Sequence, residues 1–441
     1  MSKEGIKSIV LTLLVIFSLV LTWSIWTNSP NIDPINQVQY MEEVEISNKQ
    51  EISAIVKPIQ VLYHNDNNHY GSSSEEIIDN LMEIVNNWSF SDIENISANY
   101  TPQEFQNFAN KAGTSEIIFA DEVPLLLYKQ VIKLEDSELP DIEFNRIVVK
   151  SSSDYNKTNN VYFVNTAKEY IYKTSVDGSD VKQFVEQIKK ISDMFLPFSS
   201  VEIAEGKKFY LPSNELTINS YKYYTEQLDE KEFRDALFAS PKLVKKINTA
   251  RGQRYTDGLS RMNVYKDTMM LSYIDPTQEE KAIASSSELL ERSIQFVNDH
   301  AGWEENYHFA ELKSSKQKVT FRLYMNGLPV FNSNGMSEIV QVWTQDDIYS
   351  YDRPIFTLNF PVPTGTKEVK VLSGEEAVKL LVQMKDFKVD LLEDMAIGYQ
   401  MSRDVNEPRL IILEPTWYFK YKGVWQPLMS VVIGGVDDGL E

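Results

Sequence analysis

The chain opens with an uncharged apolar segment that is long enough to cross a membrane. Residues 8–27 contain no Asp, Glu, Lys or Arg, and a helix of that length, at about 1.5 Å per residue, covers about 30 Å of hydrocarbon. Lys3 and Lys7 precede the segment, and the next basic residue is Lys49. Because basic residues favour the cytoplasmic side, the pattern predicts a single-pass transmembrane helix with residues 1–7 in the cytoplasm. The bulk of the chain is then extracytoplasmic, and the protein is localised to the cell membrane.

A cleaved secretory signal is the alternative interpretation of this segment. Such a signal has a shorter apolar core that is followed by small residues at the cleavage site. Here the apolar run ends in Trp23, Ile25 and Trp26 without that pattern. We therefore expect the helix to remain attached as an anchor.

One face of the predicted transmembrane helix differs chemically from the others. At 100° per residue, Ser8, Thr12, Ser18 and Thr22 fall within an arc of about 120°, whereas the other faces are mostly Leu, Ile, Val and Phe. Small hydroxylated residues allow close approach of a second helix. The face is thus a candidate partner-binding surface. The alternative, that these hydroxyls only bond to carbonyls of their own helix, remains open.

The rest of the chain alternates between helical and strand-like patterns, which predicts an α+β fold. Residues 28–50 lack a sustained period and form a predicted stalk, and residues 51–197 form a predicted N-terminal α+β domain. In that domain, Ser73-x-x-Glu76 and Thr101-x-x-Glu104 are possible capping boxes that would each begin a helix.

Two further domains are predicted, at 198–363 and 364–441. The first contains a helix that begins after Ser285, followed by strands, and Asn326-Gly327 indicates a tight hairpin between two of them. The second has a helix that begins near Ser373 and is followed by three β-segments. Both therefore consist of a helix and an antiparallel sheet, and we predict that these two units are related to each other.

Composition and charge narrow the functional classes. Asp and Glu outnumber Lys and Arg by 64 to 43, giving a net charge of −21, so nucleic-acid binding is not expected. The chain has no Cys, which excludes disulfides, thiolate metal sites and Cys nucleophiles. No nucleotide-binding or metallopeptidase motif and no G-x-S-x-G motif occurs either. We predict a protein that is not an enzyme and has no cofactor, although carboxylate pairs of a glycosidase could still be formed in space.

His64 and His69 are the candidate metal ligands. They are five residues apart in a polar segment, Tyr63-His-Asn-Asp-Asn-Asn-His69. The simpler interpretation is a solvated turn, and we predict that no metal binds there.

The segment 417–421 is rich in aromatic residues. Trp417, Phe419 and Tyr421 fall on one face of the predicted strand and Tyr418 on the other. Core packing is one explanation. A contact surface for a second extracytoplasmic domain is the other, and these four residues are the ectodomain candidates for partner binding.

Two segments resemble the YycH family, the extracytoplasmic regulators of the WalK (YycG) sensor histidine kinase. They are the segment from Lys7 to Thr27, with Ser18-Leu-Val-Leu-Thr-Trp23, and Leu413-Glu-Pro-Thr-Trp-Tyr-Phe-Lys-Tyr421. The resemblance implies a complex with a YycI-like protein and a WalK-like kinase that modulates the WalK/WalR (YycG/YycF) two-component system, with contacts between transmembrane helices. It also implies that the last two domains share the fold of YycI, and it supplies no catalytic residues.

Two functions of different classes follow. The first is a regulator that biases a kinase between conformations through helix packing. The second is a binding or inhibitor module for a wall fragment or a protease, in which the helix is only a tether.

Overall fold

The computed structural model describes residues 12, 14–19, 49–204, 207–277, 285–300, 302–344 and 347–428. Most of the predicted transmembrane helix, the stalk up to residue 48, and residues 429–441 lie outside this part. The helices are α1 (Ile52–Ile55), α2 (Glu75–Asn86), α3 (Pro102–Gln106), α4 (Leu125–Tyr128), α5 (Gly178–Ile191), α6 (Glu230–Leu237), α7 (Ser286–Asp299) and α8 (Gly374–Val382).

Ten strands form a first sheet. They are β1 (Gln60–Asn65), β2 (Asn68–Ser72), β3 (Ser89–Asn95), β4 (Thr114–Pro124), β5 (Lys133–Leu134), β6 (Glu143–Lys150), β7 (Asn159–Asn165), β8 (Tyr170–Val176), β9 (Leu196–Ala204) and β10 (Lys207–Pro212). Their order is β10-β9-β2-β1-β4-β6-β7-β8-β3-β5, and only β3 and β5 pair in parallel. Helices α2 and α5 pack on one face of this sheet with their apolar sides, which include Leu81 and Phe184. The opposite face is therefore left for other parts of the chain.

Fifteen strands form a second sheet. They are β11 (Leu216–Gln227), β12 (Lys245–Thr249), β13 (Gly252–Thr256), β14 (Arg261–Tyr265), β15 (Met270–Ile274), β16 (Tyr307–Lys313), β17 (Lys318–Met325), β18 (Leu328–Phe331), β19 (Glu338–Trp343), β20 (Ile348–Pro354), β21 (Phe356–Pro361), β22 (Lys367–Val371), β23 (Leu392–Arg403), β24 (Leu410–Tyr421) and β25 (Val424–Pro427). The main order is β12-β13-β14-β15-β20-β19-β17-β18-β23-β24-β11-β21, and only β18 and β23 pair in parallel. The α+β prediction, with sheets that are largely antiparallel, is thus confirmed.

Local signals set several of these boundaries. Thr101 and Ser373 each form the reciprocal hydrogen bonds of a capping box, which fix the starts of α3 and α8. The predicted box at Ser73 is wrong. Helix α2 has Ser74 as its N-cap, without a side-chain cap hydrogen bond, and the Ser73 carbonyl lies against the turn at Gly327.

The Asn326-Gly327 turn joins β17 to β18 and also connects the two sheets. Both residues have positive φ, 51° and 76°, as the predicted hairpin turn requires. The Gly327 amide and the Asn306 side chain donate to one oxygen of Glu75, at 3.2 and 2.9 Å. Glu75 is in the first turn of α2, so this turn holds the second sheet against the first.

The β9–β10 hairpin makes a second connection. It lies at the edge of the first sheet, and its residues Leu211, Val201 and Phe209 join a hydrophobic cluster with Leu381 and Trp417. The chain then enters β11, which pairs with β24 of the second sheet. The domain boundaries at 197 and 363 stay predictions. The structural relationship predicted between the last two domains stays a prediction as well.

The chain divides into an N-terminal unit, residues 1–42, and a second unit, residues 43–441. In the N-terminal unit the structure describes seven residues, Thr12 and 14–19, and these are helical. Within the part of the chain that the structure describes, no helix has both the length and the hydropathy needed to cross a membrane. Residues 8–11, 13 and 20–27 of the predicted span lie outside that part.

Candidate functional site

A large cleft lies between the outer face of the first sheet and the second sheet. Its volume is about 1400 Å³. We call it the inter-sheet cleft and define it by charged residues on its walls: Glu116 and Arg146 from the first sheet, Lys207 from the β9–β10 hairpin, and Asp394 and Lys420 from the second sheet. Clefts between packed units are frequent ligand sites.

A buried ion pair forms the base of the cleft. Along β4 the side chains alternate, so Ile117 packs under the helices while Glu116 faces the other way. Glu116 is 0% exposed, and one carboxylate oxygen accepts from Arg146. The other lies 2.8 Å from Nε2 of His64. Burial raises the pKa of Glu116, but the Arg146 charge and the His64 hydrogen bond outweigh it, and the pKa falls to about 2.

His64 continues this network to the edge of the sheet. Its Nδ1 lies 2.7 Å from Nδ1 of His69, and the Tyr210 ring packs against both imidazoles, with centroids 5.0 and 4.7 Å away. If Nε2 of His64 donates to Glu116, its Nδ1 accepts from His69. Burial lowers the pKa of His69, and the neighbouring His64 lowers it further.

The solvated turn predicted for this segment is present at residues 65–68, which are exposed, but the two histidines lie in the strands on either side of it. His64 is fully buried in β1, because its partner Glu116 is 52 residues away in sequence and adjacent in the sheet. Among the described residues, no group of three or more His, Asp or Glu side chains is arranged to hold a metal ion. Nothing in the segment 63–69 itself signals the network, since its key partners come from β4 and β6.

The opposite wall carries Asp394, Lys420 and Lys207. The Lys207 ammonium donates to the Leu392 carbonyl, and the Lys420 ammonium lies 3.3 Å from Glu311. Asp394 accepts from the Met395 amide at 2.7 Å. Asp394 is exposed to solvent through the cleft. The protein atoms around its carboxyl group nevertheless reduce its hydration, and this desolvation raises the pKa of Asp394.

Three positively charged side chains oppose the increase in the pKa of Asp394. Lys420, Arg146 and Lys207 all lower the pKa of Asp394, in that order, without cancelling the effect of burial. Charges from three separate strands, β24, β6 and β10, therefore converge on one acid in the cleft.

Two more acids outside the lining of the cleft accept hydrogen bonds from backbone amides. Asp121 of β4 accepts from the Leu312 amide of β16 at 2.8 Å and so joins the two sheets. Burial raises its pKa from 3.8 to about 6, against the hydrogen bond from Leu312. Glu305 accepts from the Leu358 amide at 2.6 Å, and burial raises its pKa to about 7.

The aromatic strand predicted as a partner surface lies in the core. Trp417, Tyr418 and Phe419 are at most 3% exposed. Tyr418 stacks on Phe331 with centroids 4.0 Å apart, and Trp417 donates to the Leu372 carbonyl at 2.8 Å. Of the two explanations for these rings, the structure favours core packing, and the contact surface predicted at Trp417, Tyr418 and Phe419 is corrected.

The covering of both strand faces has a topological cause. Helix α8 covers the face with Trp417 and Phe419, while β18 pairs with β23 and brings Phe331 over Tyr418. Tyr421 is half-buried and stacks on Phe387 with centroids 5.1 Å apart. The parallel β18–β23 pair had no signal in the sequence.

Of the predicted transmembrane face, only Thr12 and Ser18 belong to the described residues. Both are exposed on the helical segment. Ser8 and Thr22 lie outside the described residues, so the partner-binding role of this face stays a prediction.

The fold and the cleft together define a class of protein: two packed, largely antiparallel sheets with helices, and a wide cleft between them that is lined by opposite charges. Family comparison then gives a specific assignment. Residues 4–193 match the family described as YycH protein, N-terminal domain, and residues 206–433 match YycH protein, C-terminal domain. The chain belongs to the YycH family.

A relative and a solved structure support this assignment. The relative is the two-component system WalR/WalK regulatory protein YycH of Bacillus subtilis (strain 168), which is 27% identical over 460 aligned residues that cover all of both chains. The crystal structure of YycH from Bacillus subtilis superposes with a TM-score of 0.75 at 23% identity, covering 87% of this chain and 98% of that one. The structural likeness extends over both sheets and shows the fold.

Proposed function

We propose that this protein is a membrane-anchored, extracytoplasmic regulator of a WalK/WalR (YycG/YycF) two-component system. The observation that carries the proposal is membership of the YycH family, together with a relative that matches along its whole length and is named as a WalR/WalK regulatory protein. We propose a regulatory mode of action without catalysis, because the sequence carries none of the catalytic motifs sought above.

The proposed anchor is a single helix at residues 8–27 with a cytoplasmic N-terminus. It is supported by the uncharged segment and by its preceding Lys3 and Lys7. In the described segment, Leu14, Phe17 and Leu19 are 60%, 62% and 65% exposed. Large apolar side chains that point outward along a helix favour a lipid environment.

The proposed partners are a YycI-like protein and a WalK-like sensor kinase. We propose that Ser8, Thr12, Ser18 and Thr22 face a helix of the complex, since these are the small and hydroxylated positions of the segment. A regulator of this kind needs only about 1–3 kcal/mol of contact energy that differs between the two kinase states.

Replacing residues 8–27 with an unrelated transmembrane helix of equal length tests the helix-packing function. The measurement is WalR phosphorylation in cells lacking the native gene, at equal protein abundance. We expect the native chain to restore the normal phosphorylation level and the helix-swapped chain to fail. Full function of the swapped chain would instead favour the tethered binding module, and failure of the native chain to change WalR phosphorylation would refute the regulatory function itself.

A further inference from the structure

We propose that the inter-sheet cleft binds an amphiphilic organic anion, with its phosphate or carboxylate head group held by Arg146, Lys207 and Lys420 and its apolar body lying along the cleft walls. This site goes beyond the proposed regulatory function and does not depend on it. Its chemistry follows from the charges, the unused donors and the apolar surface that meet in one cavity.

The head-group site is a cluster of positive charge in a strongly acidic protein. The whole chain carries −21, yet Arg146, Lys207 and Lys420 converge from three strands on the cleft. Glu393 and Asp394 line the cleft from the second sheet and Glu116 lines it from the first. The three cations all lower the pKa of Asp394. With Lys208, four basic and three acidic side chains line the cleft, so its charged lining is positive by one. Arg146 and Lys420 are each also paired with an acid, Glu116 and Glu311.

Arg146 has hydrogen-bonding capacity that its ion pair does not use. Its Nη1 donates to Glu116, whereas its Nε is buried and has no partner among the described residues. A guanidinium has five N–H donors in a planar fork that matches a phosphate or a carboxylate. The Arg146 side chain is 28% exposed, so part of this fork is open to an oxyanion in the cleft, whereas the buried Nε is not.

The apolar body of the ligand would contact apolar side chains that are partly exposed inside the cleft. Ile118, Phe209, Leu328, Pro329 and Trp425 all line it, and none of them is fully buried. They come from both sheets, so the apolar surface continues across the cleft. At about 1400 Å³, the cleft is larger than the roughly 300–1000 Å³ that is usual for small-molecule sites, which suits an elongated ligand.

Binding of octyl phosphate to the full chain in phosphatidylcholine nanodiscs tests the proposal. The measurement is a ³¹P NMR titration of the probe, with empty nanodiscs as the blank for partitioning. We expect saturable binding of octyl phosphate. Inorganic phosphate, which lacks the apolar body, should bind at least roughly tenfold more weakly because each buried methylene contributes to affinity.

Two further probes define the head group and its source. Octanoate should compete with octyl phosphate, because both present an oxyanion to the same cations, and the ratio of their affinities separates a phosphate source from a fatty-acid source. Octyltrimethylammonium should not compete. Displacement of octyl phosphate by this cation as effectively as by octanoate would overturn the charge assignment.

Substitutions of opposite sign locate the site. Lys420→Met should weaken octyl phosphate binding roughly threefold to tenfold by removing one charged donor, while Asp394→Asn should strengthen it by removing a repelling carboxylate. The matched controls are Lys422→Met and Asp390→Asn, at exposed positions outside the cleft. Because one variant gains affinity, partial unfolding cannot imitate the pattern.

Three results would refute the proposal. They are no saturable binding above the nanodisc blank, equal changes in cleft variants and controls, and binding of an acidic peptide in place of octyl phosphate. The last result would assign the cleft to an extended polypeptide.

Discussion

Glu116 shows how a single buried charge is made tolerable in this fold. A carboxylate that is removed from water and left alone costs several kcal/mol. Here both of its oxygens have partners, Arg146 and His64. The partners lower the pKa to about 2, well below the ordinary value of 4.5, so the group stabilises the folded state at neutral pH. That contribution is present above about pH 4.5 and is lost as the pH falls toward 2.

Arg146→Met should therefore be strongly destabilising. It leaves Glu116 buried with only His64 as a partner, and we expect the free energy of unfolding to fall by about 3–5 kcal/mol at pH 7. Urea denaturation of the full chain in nanodiscs measures the change. The double variant Arg146→Met with Glu116→Gln should recover part of the loss, because no buried charge remains unpaired. A single variant as stable as the native protein would contradict this account.

The pKa of Asp121 is shifted in the opposite direction from that of Glu116. Its pKa is raised from 3.8 to about 6, so the folded protein binds more protons than the unfolded chain between these values. Stability falls as the pH rises through that window and is lowest above it. Asp121→Asn, which keeps an acceptor for the Leu312 amide, should raise the free energy of unfolding by about 1–3 kcal/mol at pH 7.5.

At pH 4, where Asp121 is largely protonated in the fold, the native protein and Asp121→Asn should differ little in stability. The stability difference between the two proteins at pH 4 is therefore the control for the difference at pH 7.5. An equal gain at both values would show that the charge of Asp121 is not the cause.

At the scale of elements, the aromatic end of β24 depends on strands that come from distant parts of the sequence. Tyr418 is 3% exposed and stacks on Phe331 of β18. Its position is fixed by the parallel β18–β23 pair on one side and by β25 on the other. The ring is therefore part of the packing that holds three strands together.

Tyr418→Asp should lower the melting temperature sharply, because it places a charge in this core and removes the stacked ring. We expect a loss of about 3–5 kcal/mol. The matched control is Tyr224→Asp in β11, where the ring is 44% exposed and the change should cost less than about 1 kcal/mol. Retention of the native melting temperature by Tyr418→Asp would show that the ring is not needed for folding.

Sequence patterns predicted the elements whose determinants are local. The capping box at Thr101, the helix start at Ser373 and the Asn326-Gly327 turn each need only a few adjacent residues. The network of His64 with Glu116 could not be predicted in this way, because strand neighbours are set by the sheet order. The same holds for the cleft, whose walls come from both sheets. Both features depend on which strands pair over long sequence distances, and this pairing cannot be predicted from the pattern of one sequence.

At the scale of the whole molecule, the two sheets share one continuous hydrophobic cluster and are also joined by polar contacts. Glu75 accepts from the turn at Gly327, and Asp121 accepts from the Leu312 amide. The β9–β10 hairpin adds an apolar contact through Leu211. These connections frame the inter-sheet cleft, so its width is fixed by how the sheets are held rather than by one side chain.

The proposed transmembrane contact is tested at this same scale. If Ser8, Thr12, Ser18 and Thr22 pack on a partner helix, Thr12→Leu combined with Ser18→Leu should block close approach and abolish co-purification with the kinase. Membrane hydrogen bonds average only about 0.6 kcal/mol, so most of the loss should come from steric bulk at the small positions. Thr12→Val, which keeps the shape of the side chain, should therefore have a smaller effect than Thr12→Leu.

Changes at Leu13 and Phe17, which lie at helical angles away from this face, serve as controls and should leave co-purification and WalR phosphorylation unchanged. Every substitute is apolar, so membrane insertion and protein abundance should be equal across the set. The difference between the two groups of variants then reports packing alone. Equal behaviour of face and control variants would leave the helix with no role beyond that of an anchor, and regulation would have to act through the two sheets.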